Sequence, residues 1–123
     1  MQHPDSAMIG PIKYDIRWED RLGYDGERCH GTATFVDLLI RVDSVQSLSV
    51  QQITLLHELF HAMIHESGVG EVMDEEQEEM IVRTLSLMTH QLLHSSPEIA
   101  DFLTCVEEFE EGEGRAGTAL LDG

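Results

Sequence analysis

Residues 49–68 read SVQQITLLHELFHAMIHESG, and this stretch decides most of what the chain can fold into. Apolar residues recur in it every three or four positions, which is the periodicity of an amphipathic helix. Ser49 and Gln52 form a capping-box pair at its start, and Gly68 suits the left-handed residue that ends a helix. We therefore predict a helix over residues 49–67. Its apolar face contains Leu55, Leu56, Leu59, Phe60, Met63 and Ile64.

The centre of this helix contains the pattern HExxH, in which His57 and Glu58 are followed by Leu59, Phe60 and His61. Residues four apart lie one turn apart on the same face, so both imidazoles can reach one cation. Glu58 can reach the open coordination position and take a proton from the attacking water. The pattern matches that of zinc metalloproteases. It predicts a Zn²⁺ site with His57 and His61 as metal ligands and Glu58 as the catalytic base.

A catalytic zinc site has three protein ligands and leaves one position for water, so a third ligand is needed. His65 lies on the same helix, but three successive turns of a straight helix curve away from a common point, and we read it as a helix-end histidine. A second helix, rich in glutamate at its start, is predicted over residues 74–94. Glu78 heads a strongly apolar stripe of that helix, and Glu79 heads a stripe of small residues. Spacing leaves both open as the third ligand.

Residues 53–68 resemble the core of small phage and prophage metallopeptidases of the ImmA/IrrE-like gluzincin class. Residues 31–42 resemble the strand pair that precedes the motif in that class, and residues 79–85 resemble its glutamate helix. The resemblance covers roughly residues 12–106. It implies a zincin-like fold with an HExxH helix and a glutamate helix. The ligand glutamate of the class matches Glu79, with Glu78 as the reserve.

The rest of the chain predicts a small sheet ahead of the helices. Residues 12–18 alternate apolar and polar, as in a strand with one buried face, and residues 32–36 and 38–42 read as a hairpin. Residues 1–10 read as a loose terminus, and a third helix is predicted over residues 97–109. The order predicts an α+β fold, a small antiparallel sheet of about three strands followed by three helices. The third helix is expected to bury Ile99, Phe102, Leu103 and Val106.

Length and composition narrow the class of protein. A chain of 123 residues fits one domain, which we expect over residues 1–110, followed by an acidic, glycine-rich and mobile tail over residues 111–123. The 24 acidic and 7 basic residues give a net charge of −17, which argues against nucleic-acid binding and favours cationic partners. Cys29 and Cys105 follow no metal-binding pattern. We see no membrane span or secretion signal and expect a cytoplasmic protein.

These features predict zinc-dependent hydrolysis of a peptide or protein substrate, and a basic substrate suits the acidic surface. A hairpin strand near the site could hold the substrate in extended form by strand addition. Tyr24, His30 and His90 are candidates for stabilising the oxyanion, on hydrogen-bonding capacity alone. Two alternatives stay open: a non-catalytic, zinc-stabilised protein-binding module, and a latent peptidase whose acidic tail occupies the site. A fourth protein ligand on the metal would indicate one of these.

Overall fold

The computed structural model describes residues 2–24 and 27–107. It confirms the predicted α+β architecture, in which a sheet is followed by three helices. The strands are β1 Ser6–Ile9, β2 Ile12–Glu19, β3 Gly23–Tyr24, β4 Glu27–Arg28, β5 Gly31–Thr34 and β6 Leu39–Asp43. The helices are α1 Leu48–Ser67, α2 Glu75–Ser95 and α3 Pro97–Thr104, with a short 3₁₀ turn, Val69–Val72, between the first two.

The main sheet has the strand order β1-β2-β6-β5 and is mixed, while β3 and β4 form a separate ribbon. The outer pairs are antiparallel, but β2 and β6 run parallel, with Ile16 opposite Ile40. The sheet predicted as antiparallel with about three strands therefore has four strands and one parallel pair. The parallel pair arises because the chain leaves the sheet after β2 and re-enters it as the edge strand β5, which runs in the opposite direction to β2. It then turns back into β6, which lies between β5 and β2 and runs parallel to β2.

The core lies between the sheet and α1. The alternation predicted for residues 12–18 is confirmed, since Tyr14 and Ile16 point inward and are buried. The Tyr14 hydroxyl donates a hydrogen bond of 2.6 Å to the Glu66 carboxylate, which ties β2 to the last turn of α1. The buried apolar cluster consists of Ile9, Tyr14, Ile16, Ile40, Val42 and Ala62.

The helix ends follow local capping chemistry. Gly68 adopts the predicted left-handed conformation, with φ at 79°, and ends α1. The predicted N-cap, Ser49, is wrong: the side chain of Ser47 caps α1, and Ser49 lies inside the first turn. Asp74 caps α2 as predicted and forms a reciprocal capping box with Gln77. These caps fix where α1 and α2 begin, and hence how their side chains face each other.

Both ends of the described chain differ from expectation. Residues 6–9 are not loose but form β1, in which Ala7 lies opposite Tyr14. The third helix ends at Thr104 instead of residue 109. Its apolar side chains are exposed rather than buried, because α3 is short and the core is built by the sheet and α1. The predicted tail, residues 111–123, lies outside the described residues. The exposed side chains are Ile99, Phe102, Leu103 and Val106.

None of the helices in the described part of the chain combines the length and apolar character needed to cross a membrane.

Candidate metal centre

Two helices bring three metal-binding side chains to one point. α1 presents His57 and His61 one turn apart, and the early part of α2 presents Glu79 opposite them. Oε1 of Glu79 lies 2.9 Å from Nε2 of His57, and its Oε2 lies 3.1 Å from Nε2 of His61. The two Nε2 atoms are 3.2 Å apart. The three predicted ligands therefore form a group that could hold a metal ion.

The spacing of these atoms fits a small tetrahedral ion. Zinc binds imidazole nitrogen and carboxylate oxygen at about 2.0–2.2 Å, which places neighbouring ligand atoms of a tetrahedron about 3.3 Å apart. The separations in the cluster, 2.9, 3.1 and 3.2 Å, are close to this value. Two imidazoles and a carboxylate are also a donor set that suits zinc. Three such donors leave a fourth tetrahedral position for water or substrate.

Small residues on α2 allow the two helices to approach this closely. Val82 and Ser86 follow Glu79 on one face of α2 and are both fully buried. The Ser86 hydroxyl donates to the Val82 carbonyl at 2.6 Å, so its burial leaves no unpaired hydroxyl. The stripe of small residues predicted behind Glu79 thus lies on the buried face of α2. This packing sets the rotation of α2 about its axis and turns Glu79 toward the histidines.

Glu78 contacts the other side of His61. Its Oε2 lies 2.6 Å from Nδ1 of His61. A carboxylate at Nδ1 favours the tautomer whose proton is on that nitrogen, which leaves the Nε2 lone pair for a metal. The geometry thus distinguishes the two glutamates between which spacing could not decide. Glu79 faces the Nε2 atom of His61, and Glu78 faces Nδ1 on the other side of the ring. His65 is not a member of the group, and its ring stacks on Phe35 at a centroid distance of 4.1 Å.

Glu58 lies beside the cluster and is 9% exposed. Burial raises the pKa of its carboxyl to about 7, an effect that His61 opposes and Glu79 reinforces. Burial also lowers the pKa of His57, against the influence of Glu79, which favours the neutral imidazole that metals require. A carboxyl with a pKa near neutrality can accept a proton and return it at physiological pH. Glu58 therefore has the environment of a general base.

A mainly apolar cleft of about 480 Å³ opens beside the cluster, between α1, α2 and the start of β5. His57 and Glu58 form part of its wall, so a molecule bound there would lie next to both. The sequence did not identify Leu87 as a residue of this cleft, because Leu87 lies outside the main apolar stripe of α2. The cleft is lined by His30, Gly31, Val50, Ile53, Thr54, His57, Glu58 and Leu87.

Gly31 allows β5 to lie directly against α1. A Cβ atom at this position would lie 2.5 Å from Cγ2 of Thr54 and 3.4 Å from Cγ of Glu58. The sequence does not predict this contact, since the pairing of β5 and its approach to α1 are long-range features. The absence of a side chain at Gly31 thus brings the edge of the sheet close to Thr54 and Glu58 on α1.

We expect Gly31→Ala to lower the free energy of unfolding by about 1–3 kcal/mol, because the methyl group overpacks the contact between β5 and α1. Urea denaturation followed by circular dichroism measures the change. Thr34→Ala, on the same strand, is the control and should cost less. If Gly31→Ala were as stable as the parent chain, the close approach of β5 to α1 would not constrain the site.

A second, acidic cavity of about 580 Å³ lies on the far side of His61. Its carboxylates come from the start of α2, where the positive end of the helix dipole stabilises them. The cavity gives this side of the cluster a negative potential, which attracts cations. It is lined by Phe35, His61, Glu75, Glu76, Glu78 and Glu79.

The three residues considered for oxyanion stabilisation differ in their position relative to the cleft. His30 lines the cleft together with Glu58. His90 instead lies 2.7 Å from the Gln52 side-chain oxygen and packs against the ring of His94. The side chain of Tyr24 lies outside the described part of the chain. His30 is therefore the candidate that the geometry favours.

We expect Glu79→Ala to weaken zinc binding more than Glu78→Ala does, because only Glu79 directs its carboxylate at both Nε2 atoms. Loss of Glu78 should cost about 10–100-fold in affinity, as is typical of a carboxylate that orients a ligand histidine. Glu75→Ala, one turn earlier, is the control. Competition with a chromophoric chelator measures each affinity. A larger loss for Glu78→Ala than for Glu79→Ala would exchange the two roles.

The arrangement has the parts needed to bind a divalent ion, to accept a proton beside it and to admit a substrate. Comparison of the chain with protein-family models, with curated proteins and with solved structures finds no match.

Proposed function

We propose that this chain is a zinc-dependent metallopeptidase of the ImmA/IrrE-like gluzincin class that acts in the cytoplasm. The observation that supports this best is the convergence of His57, His61 and Glu79 to separations of 2.9–3.2 Å. The buried Glu58 lies beside them in the wall of an open cleft. Three protein donors rather than four converge in the described part of the chain, which favours a hydrolase over a closed, structural zinc site.

Each residue of the cluster has a distinct part in this proposal. His57, His61 and Glu79 would hold the zinc ion, and Glu78 would orient His61 through Nδ1. Bound there, zinc would supply the Lewis acidity that activates water and polarises the scissile carbonyl. Because the helices α1 and α2 are both packed into the fold, the ligands are held in place before a substrate arrives.

Glu58 is proposed to accept the proton of the attacking water and to deliver it to the leaving amine. Its place in the wall of the cleft, next to the ligand His57, puts it beside both the metal site and a bound substrate. His30, in the same cleft, is the group proposed to donate a hydrogen bond to the oxygen on which negative charge develops.

The substrate is proposed to be an extended peptide or protein segment. β5 lies at one end of the strand order and borders the cleft. Its outer edge pairs with no other strand in the described part of the chain, so an extended chain can pair with it. The acidic cavity on the other side of His61 and the net charge of −17 favour basic substrates. Nucleic acid is disfavoured for the same reason.

The apolar cleft should select a large apolar side chain next to the scissile bond. We expect Leu87→Arg to lower kcat/KM for such peptides by about 10-fold or more, mainly through KM, because the new side chain fills and charges the cleft. Val72→Arg is the control, since Val72 is 85% exposed and does not line the cleft. Equal kinetics for Leu87→Arg and the parent chain would show that the cleft does not hold the substrate.

The proposal is tested by incubating the zinc-loaded protein with a peptide library and identifying new termini by mass spectrometry. We expect cleavage that stops when a chelator removes the metal and resumes when zinc is restored. Zinc-loaded protein that produces no new termini would favour the alternative of a zinc-stabilised binding module.

A further inference from the structure

One face of α2 presents a regular apolar stripe to solvent. Ile81, Leu85, Met88 and Leu92 are spaced by four, three and four residues, which places them along one side of the helix. Their exposed fractions are 41, 44, 59 and 44%. We call these four residues the α2 stripe.

The α2 stripe is not used by the fold in the described part of the chain. The face of α2 that packs on α1 is a different one, marked by the fully buried Val82 and Ser86. α3 also exposes apolar side chains, since Ile99 and Phe102 are 43 and 80% exposed. Rows of exposed apolar side chains on a soluble protein mark interaction sites.

The spacing of the α2 stripe identifies the kind of surface that fits it. A four–three repeat of apolar residues is the pattern by which two helices interlock side by side, with each side chain entering a hole formed by four residues of the other helix. A helix with the same pattern is therefore the complementary partner, and α2 of a second copy is one.

The charge distribution favours a second copy over a basic partner. The chain contains 24 acidic residues, yet residues 80–97 contain no aspartate or glutamate. Arg83 is the single lysine or arginine in that segment. Two copies can therefore approach through this segment with little of the repulsion that a net charge of −17 causes elsewhere. A cationic partner would gain nothing from a surface without negative charge.

We propose that the chain forms a homodimer in which the α2 stripes of two copies pack against each other. The same patch then serves both copies, as two-fold symmetry requires. Leu87, which lines the apolar cleft, lies roughly 130° around the helix from the centre of the stripe. The dimer therefore leaves the cleft and the metal centre open. Its contact lies on the solvent-facing side of α2 and restrains this helix, which carries Glu79. This inference does not depend on the proposed peptidase activity.

The test measures the mass of the full-length, zinc-loaded protein in solution by sedimentation or light scattering. We expect the parent chain to have twice the 13.9 kDa mass of one chain. Leu85→Glu should raise the dimer dissociation constant by roughly 100-fold or more, because symmetry places two carboxylates in an apolar contact. Leu87→Glu introduces the same charge two residues further on, at similar exposure, and should remain a dimer.

Met88→Glu, at the most exposed position of the stripe, repeats the test if Leu85→Glu fails to fold as judged by circular dichroism. A parent chain that is monomeric at about 100 μM, a concentration at which a dimer of micromolar affinity is populated, would overturn the proposal. The proposal would also be overturned if Leu85→Glu and Met88→Glu both stayed dimeric. A Leu87→Glu variant that dissociates as much as the stripe variants would contradict it too.

Discussion

A chain in which His57 and His61 are both alanine is expected to lose its zinc, from about one ion per chain to almost none. The reason is geometric: Glu79 alone offers one carboxylate, and a single carboxylate without neighbouring donors holds zinc weakly. Metal analysis after dialysis against a weak chelator gives the answer directly. The affinity lost should far exceed the 10–100-fold expected for removing a residue that only orients a ligand.

The matched control is a double variant, His65→Ala and His90→Ala, which removes one other histidine from α1 and one from α2. His65 stacks on Phe35, and His90 bonds to Gln52, so neither belongs to the cluster. This variant should keep its zinc. Unchanged zinc content in the His57 and His61 variant would show that the ion binds elsewhere and would remove the basis of the proposed function.

Glu58→Gln is expected to keep the zinc and lose about 10²–10⁴-fold in hydrolysis rate, because the amide preserves size but cannot accept the proton. The folded state disfavours the Glu58 anion, since its pKa is raised to about 7 by burial. Above the ordinary pKa of a glutamate, that burial therefore costs stability. In the metal-free protein, the neutral glutamine should accordingly unfold at an equal or higher temperature.

Activity and thermal unfolding of Glu58→Gln are measured together, so that loss of the base is distinguished from loss of the fold. Glu66→Gln is the control on the same helix, because the amide oxygen can still accept the Tyr14 hydrogen bond. If the Glu58→Gln variant cleaves as fast as the parent chain, or if it releases zinc, Glu58 has a role other than that of the base.

The local part of the site could be read from the sequence, because one helix determines it. His57 and His61 share a face through the four-residue spacing alone, whatever surrounds α1. The choice between Glu78 and Glu79 depends instead on the rotation of α2. Neighbouring residues point about 100° apart on a helix, so spacing could not decide between them. The burial of Val82 and Ser86 sets that rotation.

Features that depend on distant pairings were not predictable in the same way. The parallel pairing of β2 with β6 and the addition of β1 require knowing which strands meet, and alternation of apolar residues does not specify this. The approach of Gly31 to α1 follows from that sheet. The apolar face of α3 was recognised, but its predicted burial was wrong, because periodicity identifies a face and not what covers it.

The most direct test of the central claim is to titrate zinc into the metal-free protein while following peptide hydrolysis. The proposed mechanism predicts a rate that rises in proportion to added zinc and levels off at one equivalent, with no response in the His57 and His61 variant. Zinc bound at one equivalent by the parent chain, with no hydrolysis of any peptide in the library, would contradict it.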